Sequence, residues 1–231
     1  MNRTLKVVRM QLINRQTFIW VPLMVLGGAF VITLGIYAII HQAGAEGPMY
    51  GGGAQAPLWY FAVVGAQAMT LSFPFSQAMS VTRRELYLGT LLTAAATAAG
   101  LALIFLLGGW IEQLTGGWGM QGYFFALDWL WVAGPGIAAL FYFGLAMLFF
   151  VVGFAGATIY KRFGPTVLTI VSFAIALLLL AALWVIGMND WWEEVFVGIA
   201  DAGPAGLTFA ILGLAVVLAG VSFPILRRAT P

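Results

Sequence analysis

Residues 165–188 read PTVLTIVSFAIALLLLAALWVIGM and contain no charged side chain. A helix needs about 20 predominantly apolar residues to cross the roughly 30 Å hydrocarbon core of a bilayer, because each residue adds only about 1.5 Å. This stretch meets that length with residues to spare. It therefore predicts a membrane-spanning helix.

Five other stretches of the chain have the same length and character. Together the six predicted spans cover residues 18–40, 58–79, 87–110, 135–160, 165–188 and 204–226. Proline stands at or just before the start of four of them (Pro57, Pro135, Pro165 and Pro204), where its missing N–H costs no helical hydrogen bond. The predicted fold is all-α, an integral membrane protein with six transmembrane helices in one domain over residues 1–231.

The composition excludes several classes of protein. Of the 231 residues, 62% are hydrophobic and 8% are charged, whereas soluble proteins carry about 25% charged residues. So few charges leave no room for a sizeable soluble module such as an ATPase or kinase domain. The chain has no cysteine and one histidine, His41, so we expect no disulfide, no metal site and no cofactor in this chain.

The basic residues predict the orientation of the spans, because lysine and arginine accumulate in short cytoplasmic loops. All ten fit one arrangement with both termini in the cytoplasm and the protein in the plasma membrane. The start of the chain lacks the cleavage site of a signal peptide and is expected to be retained. The ten basic residues stand before the first span (Arg3, Lys6, Arg9, Arg15), after the second (Arg83, Arg84), after the fourth (Lys161, Arg162) and after the sixth (Arg227, Arg228).

Lysine, arginine, aspartate, glutamate and histidine are missing from the central part of every predicted span. Such groups mark proton relays and ion paths in the bilayer, so ion-driven transport is disfavoured. The span interiors also lack a nucleophile paired with a base, so we do not expect an enzyme. A phosphate-binding loop is absent too, because neither Lys6 nor Lys161 stands in the required glycine-rich context. Any ATP must be hydrolysed by a separate subunit.

The N-terminal residues 1–16 show the pattern of a helix lying along the inner leaflet. Leu5, Val8 and Leu12 repeat with helical spacing, while Arg3, Lys6 and Arg9 occupy another face. The alternative is a basic tail that only enforces topology.

Residues 80–86, SVTRREL, carry the densest charge cluster of the chain. Thr82 followed three residues later by Glu85 matches a capping box, which predicts a short helix that starts there and projects Arg83 and Arg84 into the cytoplasm. Two guanidiniums and a carboxylate suit docking to a soluble partner. The alternative is that both arginines serve only as the positive-inside signal.

Residues 189–203 on the outer side are too short to cross the bilayer. Trp192, Val195, Phe196 and Ile199 fall on one helical face, which predicts an interfacial or re-entrant helix. A surface loop with an incidental pattern is the alternative.

The second span contains Phe73, the helix-kinking Pro74 and several polar residues. The polar residues are Gln67, Thr70, Ser72, Ser76 and Gln77. Polar side chains in lipid must pair with neighbouring helices or line a wet cavity. In the fourth span Gly153 and Gly156 favour close helix packing.

The whole layout resembles the ABC-2-type permeases, the half-size membrane subunits of type V ABC exporters. The features in common are the basic amphipathic start, six spans with both ends inside, the charged segment after the second span and the outer amphipathic segment before the sixth. The resemblance covers essentially all of the chain.

The resemblance implies two permease subunits, identical or sister chains, around a cavity lined by the second and fifth spans. Residues 1–16 would be the connecting helix. The segment 80–86, with Thr82, Arg83, Arg84 and Glu85, would be the coupling helix that docks on an ATPase binding ATP and magnesium. Candidate substrate contacts are then Gln67, Thr70 and Phe73 on the second span and Ser172 and Phe173 on the fifth, and the exported substrate would be hydrophobic or amphipathic.

Two rival functions remain open from the sequence. One is a membrane-anchored accessory or structural protein. The other is a secondary carrier, or a membrane subunit that binds substrate in an uptake system.

Overall fold

The computed structural model describes residues 3–45, 47–73 and 81–227. Four helices in this part of the chain are long and apolar enough to cross a membrane: Gln16–Gln42, Arg83–Leu114, Pro135–Met188 and Trp192–Arg227. The expected helical fold is therefore confirmed, and the four helices are compatible with a membrane protein.

The elements follow one another in a simple order. The helices are α1 (Arg3–Ile13), α2 (Val21–Gln42), α3 (Ala56–Gln67), α4 (Arg83–Leu114), α5 (Asp128–Trp131), α6 (Pro135–Met188) and α7 (Trp192–Arg227). Wider π-helical turns stand at Gln16–Trp20, before α2, and at Ala68–Ser72, after α3. Residues Gly117–Gln121 form a turn in which Trp118 and Gly119 have left-handed backbone. The two-residue strands β1 (Met49–Tyr50) and β2 (Gly122–Tyr123) pair in parallel between the helices.

Glycines interrupt the two longest helices. Gly164 divides α6 with a φ of +83°, and Gly203 divides α7 with a φ of +60°. Glycine adopts this positive φ readily because it has no Cβ. The proline that follows each glycine starts the next helical segment. The breaks fall where the sequence predicts the fifth and sixth spans to begin.

The predicted second span lies only partly within the described residues. Helix α3 and the turn Ala68–Ser72 confirm a helix from residue 56 to residue 72. The predictions for Pro74, Ser76 and Gln77, and for Ser80 in the charged segment, fall on residues 74–80, which lie outside the described part of the chain.

Helix α1 confirms the predicted N-terminal helix but packs through a different face. Val7 is 2% exposed and lies against Gly89 of α4, where an added Cβ would come within 2.6 Å of it. Leu5 lies on the face that the sequence predicts to meet lipid, and it is 49% exposed on the surface of the chain. The missing side chain at Gly89 decides which face meets the protein, since it lets α1 approach α4 closely.

Helices α3 and α6 cross at a pair of glycines. A Cβ at Gly65 would lie 2.0 Å from the carbonyl oxygen of Phe150, and a Cβ at Gly153 would lie 1.9 Å from that of Ala62. The backbones therefore touch, which is the close approach predicted from Gly153. At Gly156, by contrast, an added Cβ would meet nothing within 4 Å.

A loop at the C-terminal end of α4 wraps around Glu112. This glutamate is 0% exposed, although the sequence shows it only as one of several outer acids. Its Oε1 accepts hydrogen bonds from Trp118 Nε1 at 2.8 Å and from the backbone N–H of Phe124 at 2.9 Å. Its Oε2 accepts from the N–H of Phe125 at 2.7 Å and of Ala126 at 2.8 Å. The carboxylate thus satisfies three consecutive backbone donors that no helix pairs.

Tyrosines reinforce the same region. The hydroxyl of Tyr37 donates to the carbonyl of Tyr123 at 3.1 Å, and the Tyr50 ring stacks on that of Tyr123. The Tyr50 hydroxyl also donates to Asp128. Partial burial, and then this hydrogen bond and the charge of Asp128, raise the pKa of Tyr50 to about 12. Tyr50 therefore stays protonated, and remains a donor, at physiological pH.

The glycine crossing yields a prediction with a control on the same helix. Replacing Gly153→Ala forces a methyl group against the Ala62 carbonyl and should cost roughly 1–3 kcal/mol of stability. Gly156→Ala has open space and should be neutral or stabilising, because alanine favours helices over glycine by about 1 kcal/mol. Thermal unfolding of the purified protein in detergent measures both, and equal melting temperatures for the two variants would contradict the crossing.

The Glu112 cluster yields a second prediction. In Glu112→Gln the amide nitrogen cannot accept, so two of the four donors lose their partner at roughly 1–3 kcal/mol each. We expect a large fall in the thermal unfolding temperature and a changed Trp118 fluorescence. The exposed acid Glu193 is the control, and Glu193→Gln should unfold as wild type does. A fully stable Glu112→Gln would show that the loop is held by other contacts.

Candidate functional site

The charged segment after the second span forms the start of α4. Thr82 is extended, its Oγ1 accepts from the N–H of Glu85 at 3.3 Å, and Glu85 Oε2 accepts from the N–H of Thr82 at 3.1 Å. The predicted capping box is present. The expectation of a separate short helix is wrong, because α4 continues without a break from Arg83 to Leu114. The described part of the segment 80–86 therefore forms the N-cap and first turn of the long helix α4.

Arg83 does not project into the cytoplasm as the sequence suggested. Its Nη1 donates to the carbonyl of Arg227 and, at 3.4 Å, to that of Leu226. Its guanidinium also lies 5.8 Å from the centre of the Phe73 ring. Helix carbonyls near a C-terminal end carry a partial negative charge. Arg83 therefore ties the start of α4 to the last described turn of α7.

Arg84 is exposed next to Arg83 and belongs to a basic rim. Arg83, Arg84 and Arg227 line a cavity of about 600 Å³, and Arg227 also lines a neighbouring cavity of about 440 Å³ with Arg162. Glu85, the one acid that the sequence assigns to this side, bonds within the capping box. This end of the molecule consequently carries an excess of positive charge.

The three candidate substrate contacts on the second span have different surroundings. The Thr70 hydroxyl donates to the carbonyl of Ala66 at 3.1 Å, within its own helix. Phe73 is completely buried beneath Arg83. Gln67 is half-buried and lines a cavity of about 150 Å³. Of the three, Gln67 opens on a space that a ligand can enter.

The two candidate contacts on the fifth span lie on the second half of α6. Ser172 is exposed, and its hydroxyl donates to the carbonyl of Leu168 at 2.9 Å. Phe173 is 67% exposed. Neither residue lines the cavity beside Gln67. Within this single chain the structure does not bring the two sets of candidate contacts together.

The cavity beside Gln67 lies at the elbow between α1 and α2. Asn14 Nδ2 donates to Thr17 Oγ1 at 3.1 Å, and the Thr17 N–H donates to Asn14 Oδ1 at 3.4 Å. These bonds hold the elbow, and both side chains line the cavity. Gln11 lines it as well and is only 3% exposed.

Gln11 is only partly satisfied. Its Nε2 donates to Thr90 Oγ1 of α4 at 2.7 Å, while its Oε1 has no hydrogen-bond partner in the described part of the chain. Sequence reasoning missed this residue because it treated α1 as a lipid-facing helix. The available signal was the spacing of Val7 and Gln11, four residues apart and so on one face of the helix.

A second cavity, of about 320 Å³, adjoins the first. Phe18 lines both. The remaining walls of the second cavity are almost entirely apolar side chains from the turn Gln16–Trp20 and from α1, α2, α3 and α4. The Thr97 hydroxyl in its wall already donates to the carbonyls of Thr93 and Ala94 at 3.0 Å. Together the two spaces offer hydrogen-bonding groups at one end and hydrocarbon at the other.

Comparison of the chain with family models, with curated proteins and with solved structures found no match.

Proposed function

We propose that the chain is the transmembrane permease subunit of an ABC exporter, which works with a separately encoded ATPase to move a hydrophobic or amphipathic substrate out of the cell. The observation that carries the proposal is the start of α4. There a capping box fixes the helix, Arg83 ties it to the end of α7, and Arg84 remains exposed for a partner. A push on Arg84 would be transmitted along one continuous helix to the outer face.

The proposal includes six membrane crossings with both termini in the cytoplasm. If α6, which has 54 residues, were a straight helix, it would be about 80 Å long. That is more than twice the roughly 30 Å thickness of the hydrocarbon core. The break at Gly164 supports two crossings in its place. The basic rim at one end of the bundle and Glu112 and Asp128 at the other support the orientation with the basic rim inside.

The energy source follows from the same distribution of charge. The sequence has no lysine, arginine, aspartate, glutamate or histidine in the central part of a span, and Glu112 near the outer end is bonded to four donors. A carboxylate held this way serves as a structural tie and is poorly suited to carrying protons. The proposal therefore assigns the driving force to nucleotide hydrolysis in the partner, where ATP and magnesium bind.

A second permease subunit is part of the proposal. The second half of α6 exposes large apolar side chains on several faces, among them Ile170, Phe173, Leu177 and Leu180. Such a helix meets lipid or the matching helix of another subunit. Pairing of two chains along it would bring Ser172 and Phe173 to the border of a shared path.

The structure separates the roles of the two arginines, which gives a sharp test. Arg84→Glu should reduce recovery of a P-loop ATPase with the tagged, purified chain at least tenfold while leaving thermal stability unchanged. Arg83→Gln should lower stability by about 0.3–1 kcal/mol through loss of its charged contact with the carbonyls of α7 and weaken recovery less. Arg9→Glu, an exposed charge reversal on α1, is the control. Undiminished ATPase recovery with Arg84→Glu would contradict docking at Arg84, and the absence of an ATPase from the wild-type preparation would favour the accessory-protein alternative.

The proposed orientation can be measured directly, because the chain contains no cysteine. Gly52 is exposed in the loop before α3, and an added Cβ there meets nothing within 4 Å. In intact cells Gly52→Cys should react with a membrane-impermeant maleimide, whereas Arg84→Cys should react only after the membrane is opened. The reverse labelling would overturn the orientation.

A further inference from the structure

We propose that the two adjoining cavities at the elbow bind one uncharged, single-chain amphiphile. Its hydroxyl-bearing headgroup lies in the cavity lined by Gln11, Asn14, Thr17 and Gln67, and its hydrocarbon chain lies in the apolar cavity beyond Phe18. This binding site goes beyond the proposed transport function and does not depend on it.

The lining of the polar cavity selects the charge of the headgroup. Four of its lining side chains carry amides or hydroxyls, and none is charged. An ionised headgroup would give up water there without gaining a counter-charge, which is strongly unfavourable. A neutral polar headgroup exchanges its bonds to water for bonds to these side chains.

Gln11 selects the chemistry of the headgroup. The side chain is 3% exposed, one end of its amide is bonded to Thr90, and the other end lacks a partner in the described residues. A buried polar atom without a partner costs roughly 1–3 kcal/mol. A hydroxyl group both donates and accepts, so it pairs with this amide in either orientation of its oxygen and nitrogen once the side chain turns its free end toward the cavity.

The apolar cavity selects the rest of the ligand. Its volume of about 320 Å³ falls at the lower end of the roughly 300–1,000 Å³ typical of ligand sites. Pro22, Leu23, Phe61 and Leu101 are among its walls. Because the Thr97 hydroxyl is engaged within α4, the lining side chains present hydrocarbon and no free hydrogen-bonding group. One alkyl chain satisfies such a space.

Gly100 provides a way to fill the apolar cavity without disturbing the fold. It lines the cavity, and an added Cβ would meet nothing within 4 Å. Gly100→Leu therefore places a side chain where the alkyl chain would lie. Gly213 on α7 is also exposed and also open at the Cβ position, and it lines neither cavity. Gly213→Leu is thus a matched control.

The test uses the purified full chain and monooleoylglycerol that carries a photoreactive diazirine in its acyl chain, with adducts located by peptide mass spectrometry. We expect saturable labelling in peptides from the elbow and from residues 96–104. Gly100→Leu should reduce it at least tenfold and Gly213→Leu should not. Labelling that does not saturate, or that Gly100→Leu leaves unchanged, would overturn the site.

Competition with unlabelled lipids tests the headgroup. Monooleoylglycerol should displace the probe at least tenfold better than its dimethyl ether, which cannot donate hydrogen bonds, and better than oleate, which is anionic. Gln67→Leu and Gln11→Leu should abolish this preference, and Gln67→Leu keeps the test decisive if Gln11→Leu does not fold. Equal competition by all three lipids would show that the site has no headgroup selectivity and would refute the proposal.

Discussion

Backbone donors buried away from water must be paired, and the loop between α4 and α5 meets that requirement with a single carboxylate. Residues 124–126 are fully buried but belong to no helix. Their three N–H groups point at Glu112, which stands near the end of α4. Without this acceptor the loop between α4 and α6 would have to be hydrated or refolded, since several unpaired donors cost more than a protein of marginal stability can tolerate. The positions of β2, of the Tyr37 contact and of the start of α6 all depend on that loop.

The opposite end of the bundle uses a charge of the opposite sign for a related purpose. Arg83 satisfies carbonyl oxygens in the last described turn of α7, while Glu112 satisfies N–H groups just before α5. Both ends of α4 are thus fixed to other parts of the chain by charged side chains. At the basic rim the charges available for a partner therefore include those of Arg84, Arg162 and Arg227, whereas Arg83, which the sequence shows paired with Arg84, is engaged with α7.

What could be predicted depended on whether the signal was local. Hydropathy and proline positions indicate the helices and the breaks at Gly164 and Gly203, because each depends on residues adjacent in the chain. The capping box at Thr82 is local in the same way. The direction of Arg83 depends on where the end of α7 arrives, and the burial of Glu112 depends on the closure of a loop more than ten residues away. The elbow cavities require four helices and a missing side chain at Gly89. None of these three features could be derived from spacing alone.

Helix α4 also connects the elbow to the basic rim. Gln11 bonds to Thr90, two turns along α4 from Arg84, and Val7 packs on Gly89 beside it. A molecule that occupied the elbow would complete the hydrogen bonding of Gln11 and stabilise α1 against α4. A partner that docked at Arg84 would act on the same helix. The elbow ligand and the partner at Arg84 are coupled if they favour different arrangements of α1 and α4. The elbow ligand then changes the affinity of the partner by the same factor as the partner changes the affinity of the elbow ligand, because coupling between two binding sites is reciprocal.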